Sequence, residues 1–376
     1  MAGVISADDL RRRARRKLPR FAFDYIDGGA GTEAGLARNR AAWLGETLQP
    51  KVLVNSDRAL PTERSFLGRR WAMPIGIPPI GLAGLAWPEV DLILASAAEA
   101  AGIPYVASTP ATVSLERLKS AAPTSGWFQL YVGKSEEITD DLIRRARDAG
   151  YETLVVTADV PRPGIRLRDV RNGFSLPLKA TPRMAADLAL HPAWAIRTFR
   201  AGAPRFANLE RYAAPGTGAQ SLAKLMAGQS SGRLDWTLFR RIREQWPGRL
   251  ILKGVTSAPD AAQAADLGAD AIWVSNHGGR QLDSAPATRD ALPAIRKAVP
   301  EDFPLAVDGG LRGGEDVLKA LVAGADFAFV GRPFLYSVAA LGAEGPTRYI
   351  ETLAAQLDNA MAQIGWTDLD RSPRDV

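Results

Sequence analysis

The chain has 376 residues, 46% hydrophobic and 23% charged, the balance of a globular protein with room for one large barrel or two modest domains. It contains no cysteine, so disulfides, thiolate metal sites and thiol nucleophiles are excluded. A net charge of +6 calls for an acidic partner, which could be nucleic acid, anionic lipid, or an anionic substrate and cofactor.

The distribution of charge narrows that choice. Residues 160–234 carry twelve Lys or Arg against three Asp or Glu, while no nucleic-acid motif accompanies the charge anywhere. A second basic run, Arg11 to Lys17, follows Asp8 and Asp9 and reads as the solvated face of an N-terminal helix. No apolar run reaches the roughly 18 residues of a membrane span, and the N-terminus lacks the apolar core of a signal peptide. The expectation is a cytoplasmic protein, with peripheral attachment to the inner face of the membrane as an option.

From residue 6 to about 45 the pattern is helical, interrupted by Gly28, Gly29 and Gly31. Short apolar or β-branched runs then fall at 73–80, 104–109, 126–131, 153–159, 249–255, 271–276, 304–310 and 327–332. Helix-period segments separate them, among them 88–101, 135–149, 259–267 and 314–323, each closed by a glycine-containing turn. Eight strands alternating with helices predict a (β/α)8 barrel, one domain over 1–376, with an N-terminal helical cap and a C-terminal helix near 347–364. The long stretch 160–234 after the fourth strand is an insert, longer than a connecting loop needs.

In such a barrel the ligand site lies at the C-terminal ends of the strands, so the residues closing each run should converge. They are Pro79, Ile80 and Gly81; Ser108; Gln129 and Tyr131; Thr157 and Asp159; Lys253; Ser275, His277 and Arg280; Asp308, Gly309, Gly310 and Arg312; and Gly331 with Arg332. The collection is polar and basic although every strand leading to it is apolar, which packing alone does not explain. One stretch stands out, Ser275-Asn276-His277-Gly278-Gly279-Arg280-Gln281-Leu282-Asp283, where a histidine and an arginine share a glycine-rich loop. Glycine turns opening helices after the last two strands, with Arg312 and Arg332, suit a phosphate. Lys253, an ammonium at the end of an apolar strand, needs an anion nearby.

These motifs resemble the FMN-dependent 2-hydroxy acid oxidase and dehydrogenase family, which includes mandelate and L-lactate dehydrogenases, over about residues 6 to 366. The resemblance implies FMN as cofactor. Its phosphate would lie at Gly309, Gly310, Arg312, Gly331 and Arg332, with Asp308 on the ribityl chain. Its ring would lie against Pro79, Ile80, Gly81, Ser108, Gln129, Thr157, Lys253 and Ser275. It also implies His277 as general base oriented by Asp159, Arg166 and Arg280 as the carboxylate-binding pair, and Tyr25 and Tyr131 as the two active-site phenols.

Three departures bear on the substrate. Ile80 stands in place of the threonine common in oxidases, Pro110 in place of the bulky aromatic of glycolate oxidases, and Gly81 where many relatives have alanine. The expectation is extra room beside the reacting carbon and a mandelate- or lactate-like (S)-2-hydroxy acid. His191-Pro192-Ala193-Trp194 and Ala207-Asn208 resemble the insert of membrane-associated members. There Trp194, Ile196 and Phe199, beside Arg197 and Arg200, would settle into an anionic lipid interface within 175–215, with a quinone or other respiratory carrier as acceptor. A lid packed on the barrel is the alternative use of the insert. An oxidase making hydrogen peroxide, an FMN-dependent isomerase and a non-enzymatic basic binding module are the competing functions, and a homotetramer follows from the resemblance alone.

Overall fold

The computed structural model describes residues 6–174, 181–213 and 231–370. Eight parallel strands form the barrel: β3 (Ile75–Gly76), β4 (Tyr105–Ser108), β5 (Gly126–Leu130), β6 (Thr153–Thr157), β7 (Arg249–Val255), β8 (Ala271–Val274), β9 (Leu305–Val307) and β10 (Phe327–Phe329). Each lies inside one of the eight apolar runs. The hydrogen-bonded order runs from β4 through β10 to β3, and a parallel bridge between Ile77 and Tyr105 joins the two ends. Helices alternate with the strands, as in the architecture expected from the sequence.

The interior is solid at its N-terminal end. Phe66, Trp71, Trp127, Trp273, Phe327 and Phe329 pack there with Val106, Val155 and Ile251, and the rings of Trp273 and Phe329 stack with centroids 3.8 Å apart. Gly76 makes this possible, since a Cβ on it would lie 2.3 Å from the Phe329 ring. Phe66 and Trp71 come from a small antiparallel hairpin, β1 (Arg64–Phe66) and β2 (Arg69–Trp71), that the sequence reading did not identify. With the interior at that end filled by aromatic rings, the barrel opens toward the C-terminal ends of the strands, where the larger cavity lies.

The N-terminal cap consists of helices Ala7–Lys17, Arg20–Asp27 and Ala34–Gly45. Ser6 accepts a hydrogen bond from the Asp9 amide and starts the first helix, whose Leu10 and Ala14 are buried. The basic run on this helix is not wholly a solvated face: Arg11 donates to Asp27 at 2.8 Å, and Lys17 donates to the Ala340 carbonyl at 2.7 Å. Asp27 also accepts from Arg168 and from the Tyr336 hydroxyl, each at 2.7 Å, so one buried carboxylate ties the cap to the insert and to helix Arg332–Leu341.

Burial works to raise the Asp27 carboxyl, but its bonds to Arg11, Tyr336 and Arg168 outweigh that and hold it well below the usual carboxylate range. A carboxyl depressed in the folded state contributes stability above its unfolded value, and that contribution is lost as pH falls through the acid range below about 4. Asp27→Asn should therefore lower stability by about 3 kcal/mol at neutral pH, because Arg11 loses its anion, Tyr336 loses a charged acceptor and Arg168 is left to Glu33 and Asp24. Urea unfolding at pH 7 and pH 4 checks this, and the gap between mutant and parent should narrow at still lower pH.

The insert contains helices Leu167–Arg171, Pro182–Leu190 and Pro192–Ala201 before the barrel resumes with helix Trp236–Gln245. Trp194 is not available to a lipid surface. It is buried, its ring meets Phe21 edge-to-face at 5.6 Å, and its indole N–H donates to the Leu85 carbonyl. Helical spacing explains the correction: with Trp194 turned to the cap, Ile196 and Phe199 fall on the outward face, 52% and 90% exposed, while Arg197 lies 5.0 Å over the Trp87 ring. Residues 175–180 and 214–215 of the proposed membrane segment lie outside the described residues.

Candidate active site

The loop after β8 is built for close approach. His277, Gly278 and Gly279 follow one another in left-handed backbone, with φ of 59°, 62° and 74°. That is strained for histidine and natural for glycine, so the turn must be held from outside. The cap holds it. Asn39 and Asn276 exchange side-chain amide hydrogen bonds at 2.8 Å, and the Asp283 carboxylate accepts from the amides of Thr32 and Gly35, both at 2.8 Å. Asp283 thus closes the nine-residue stretch as a brace.

His277 Nδ1 lies 3.0 Å from Asp159 Oδ1, and its Nε2 lies 3.2 Å from the Tyr131 hydroxyl. A carboxylate at Nδ1 keeps the proton there, so in the neutral ring Nε2 faces the cavity as a base with Tyr131 donating to it. Burial works to raise the Asp159 carboxyl, but the charge and hydrogen bond of His277, then Lys253, hold it below the ordinary value. Burial, then the charge of Asp159, pushes Tyr131 well above the ordinary phenol range, which keeps it a donor. Asp159 can come this close because of Gly254: a Cβ there would meet Asp159 atoms at 2.6 Å, and the strand takes a left-handed step at φ 99° where the β7–β8 register shifts.

Arg166 and Arg280 flank the Tyr25 ring, their guanidinium carbons 4.9 and 5.2 Å from its centroid. Arg280 is anchored by the carbonyls of Tyr25 and Gly28, at 2.8 and 2.9 Å, and no carboxylate pairs with it among the described residues. Burial, then repulsion from Arg166 and Arg332, pushes it down to about 9. Since a guanidinium remains charged at physiological pH, that depression means an anion arriving beside it is strongly stabilised. Arg166 does have a partner, Asp169 at 2.9 Å. The Tyr25 hydroxyl donates to the Gly81 carbonyl.

Lys253 is buried and pairs with Asp308 at 3.1 Å, and Ser275 bridges the two at 2.7 Å on each side. The anion its position demanded is therefore in the chain. Ser108, Gln129 and Thr157 form a hydrogen-bonded ladder across β4, β5 and β6, at 3.1 and 3.0 Å. Thr157 lines the cavity, whereas Ser108, Gln129 and Ser275 are buried outside its wall and Asp159 is part-buried behind His277.

The cavity encloses about 620 Å³ and is walled by Tyr25, Tyr131, Arg166, His277 and Arg280, by Pro79, Ile80 and Gly81, and by the turns at 308–312 and 331–332. The volume expected beside Gly81 is not free: a Cβ there would sit 2.8 Å from Pro110 Cγ, so the proline ring fills the space alanine would need. At the other end, Gly309 and Gly310 adopt φ of 94° and 91°, the Nε of part-buried Arg332 is buried without a hydrogen-bond partner, and neither Arg312 nor Arg332 pairs with a carboxylate among the described residues. A guanidinium with a buried, unpartnered N–H beside two helix N-termini fits the phosphate of FMN.

The sequence profile of the family described as FMN-dependent dehydrogenase matches residues 14–376. The chain is 38% identical to (S)-mandelate dehydrogenase of Pseudomonas putida over 97% of its own length and 92% of that protein's. It is 39% identical to L-lactate dehydrogenase of Caulobacter vibrioides, over 97% and 95%. The crystal structure of a monotopic membrane protein, (S)-mandelate dehydrogenase, superposes with a TM-score of 0.95 at 37% identity, covering 99% of this chain and 98% of the other. A mandelate oxidase structure follows at 0.82 and 36%, covering 98% and 96%. Fold, cavity and kinship agree, and the chain belongs to the FMN-dependent dehydrogenase family as an FMN-dependent 2-hydroxy acid dehydrogenase.

Proposed function

We propose that the chain oxidises (S)-2-hydroxy acids of the mandelate or lactate type to 2-oxo acids and passes the electrons to a membrane quinone or similar respiratory carrier. The observation that carries this reading is the Asp159–His277–Tyr131 chain opening on the same cavity as Arg280, a part-buried cation that no carboxylate pairs with among the described residues. A 2-hydroxy acid supplies what both lack, an anion for the guanidinium and a proton for Nε2.

In this reading the substrate carboxylate lies between Arg166 and Arg280 beside Tyr25, where a fork of N–H donors can grip two oxygens. That places the hydroxyl-bearing carbon toward His277 and Tyr131. On substrate binding the Tyr131 O–H turns from Nε2 to the substrate oxygen and keeps its proton, His277 takes a proton at the freed Nε2, and Asp159 stabilises the resulting imidazolium. FMN, when bound, supplies the two-electron acceptor. Arg312 and Arg332 with Gly309, Gly310 and Gly331 would hold its phosphate. Lys253, Thr157, Gln129, Ser108 and Ser275 would set the polarity along its ring, between Pro79, Ile80 and Gly81 on one side and the substrate on the other, and Asp308 would take the ribityl chain.

The membrane half of the proposal rests on the insert. Leu190 and Phe199 are 78% and 90% exposed, Ile196 lies beside them, and Arg200 and Arg205 are exposed nearby, the composition of a face that enters an anionic lipid interface. Among the described residues no helix is long and apolar enough to cross a membrane. A homotetramer belongs to the same reading. The second reading, an oxidase that makes hydrogen peroxide, is favoured by the likeness to mandelate oxidase.

Purified holoenzyme mixed without air with (S)-mandelate, (R)-mandelate and L-lactate tests the reaction: the S substrates should bleach the flavin band and the R enantiomer should not. Reoxidation by a soluble quinone should then outpace reoxidation by oxygen, and the reverse order establishes the oxidase. Arg332→Leu should leave the fold intact and lower FMN affinity at least tenfold, measured by flavin fluorescence on reconstitution of apoprotein.

A further inference from the structure

The cavity does not end at Tyr131. It continues into a lobe walled by Val132, Ile138, Leu142, Phe206, Leu209 and Leu234, between helix Glu136–Asp148 and the insert. Val132, Leu142, Phe206 and Leu209 are buried, and every side chain in this set is aliphatic or aromatic. Of the polar side chains near them, Thr139 donates to the Ser135 carbonyl at 2.9 Å and accepts from the Gly133 amide at 3.3 Å, and Ser231 accepts from the Arg233 amide at 3.0 Å. The lobe therefore offers an occupant mainly dispersion and dryness.

Its outer wall is fixed in place. Asn208, fully buried between Phe206 and Leu209, donates to the carbonyls of Ser108 and Thr109 at 3.2 and 3.1 Å and accepts from the Leu115 amide at 2.7 Å. The Ala207 amide donates to the Ala111 carbonyl at 3.2 Å, and Arg145 donates to the Asn208 carbonyl at 2.9 Å. A segment of the insert is thus clamped over the end of β4 and the loop that follows it, holding two apolar side chains against the cavity.

We propose that this lobe seats the side chain of the substrate, and that the enzyme prefers 2-hydroxy acids whose side chain is apolar and longer than a methyl group: an alkyl chain of about four or more carbons, or an aryl group on a short linker. The inference rests on the proposed reaction and deepens it. With the carboxylate at the arginines, the hydroxyl at His277 and the C–H bond toward the flavin, the fourth substituent of the reacting carbon goes where space remains. Pro110 closes the side over Gly81, and the lobe past Tyr131 stays open.

The test is anaerobic turnover of the holoenzyme with a soluble dye, over L-lactate, 2-hydroxyhexanoate, 2-hydroxyoctanoate, mandelate and 3-phenyllactate. kcat/KM should rise about fourfold per added methylene until the lobe is filled. Ile138→Trp should cut the rate constant for 2-hydroxyoctanoate at least tenfold and leave lactate within about twofold, whereas Phe206→Ala should move the optimum to longer chains. Leu234→Phe provides a milder filling of the same space. Lactate outperforming every longer acid, or Ile138→Trp slowing all substrates alike, overturns the proposal. So does a defect confined to reoxidation by a lipophilic quinone, which assigns the lobe to the electron acceptor. Failure of every 2-hydroxy acid to bleach the flavin is a separate result and removes the parent reading as well.

Discussion

Replacing His277 with asparagine should leave a yellow protein whose flavin is no longer bleached by substrate. In the proposed mechanism Nε2 is the only base within reach of the hydroxyl, and an amide at that place cannot accept the proton, so the rate of flavin reduction should fall by about 10⁴. Flavin content should hold, because no predicted phosphate or ring contact passes through the imidazole. The loop itself should also hold, since Asn39 and Asp283 brace it independently of the ring and asparagine tolerates the left-handed φ of 59°. Stopped-flow reduction under nitrogen measures the effect. A rate within tenfold of the parent would remove His277 from the chemistry.

Arg280→Leu is expected to have the next largest effect, a loss of about 10³ in kcat/KM carried mostly by KM. Arg280 is part-buried and has no carboxylate partner among the described residues, so in the proposed mechanism it makes its strongest interaction with the substrate, and deleting one partner of a desolvated charge pair costs about 2 to 5 kcal/mol. Arg280→Lys should recover only part, because a point charge lacks the planar fork that also reaches the carbonyls of Tyr25 and Gly28. Arg166→Leu should cost less, since Asp169 already neutralises that guanidinium at 2.9 Å. Steady-state kinetics of the three variants rank them, and equal losses at both arginines would contradict the asymmetry drawn from the ion pairs.

The barrel was legible because its strands are buried on both faces. Runs such as Leu154–Val156 and Ile272–Val274 are apolar throughout and bounded by glycine turns, so neither their number nor their limits depended on knowing the neighbours. The hairpin at 64–71 was missed for the opposite reason: its three-residue strands carry three arginines, and only Phe66 and Trp71 turn inward. Trp194 was misread because a helix in isolation does not reveal which of its two apolar faces meets the cap.

By itself the sequence determined the succession of strands and helices, the loop that presents His277 and Arg280, and the pairing of glycine turns with arginines after the last strands. Each follows from neighbours a few residues apart. The meeting of Asp159 with His277, 118 positions apart, was expected from the family resemblance and has no local signal of its own; only the tertiary structure decided that Asp308 neutralises Lys253 and that Pro110 occupies the space over Gly81. It alone showed that Asn208 clamps Phe206 and Leu209 beside Tyr131. Periodicity and turn chemistry are local properties of the chain, whereas these contacts depend on how closing the barrel brings distant loops to one rim, and no local pattern records that.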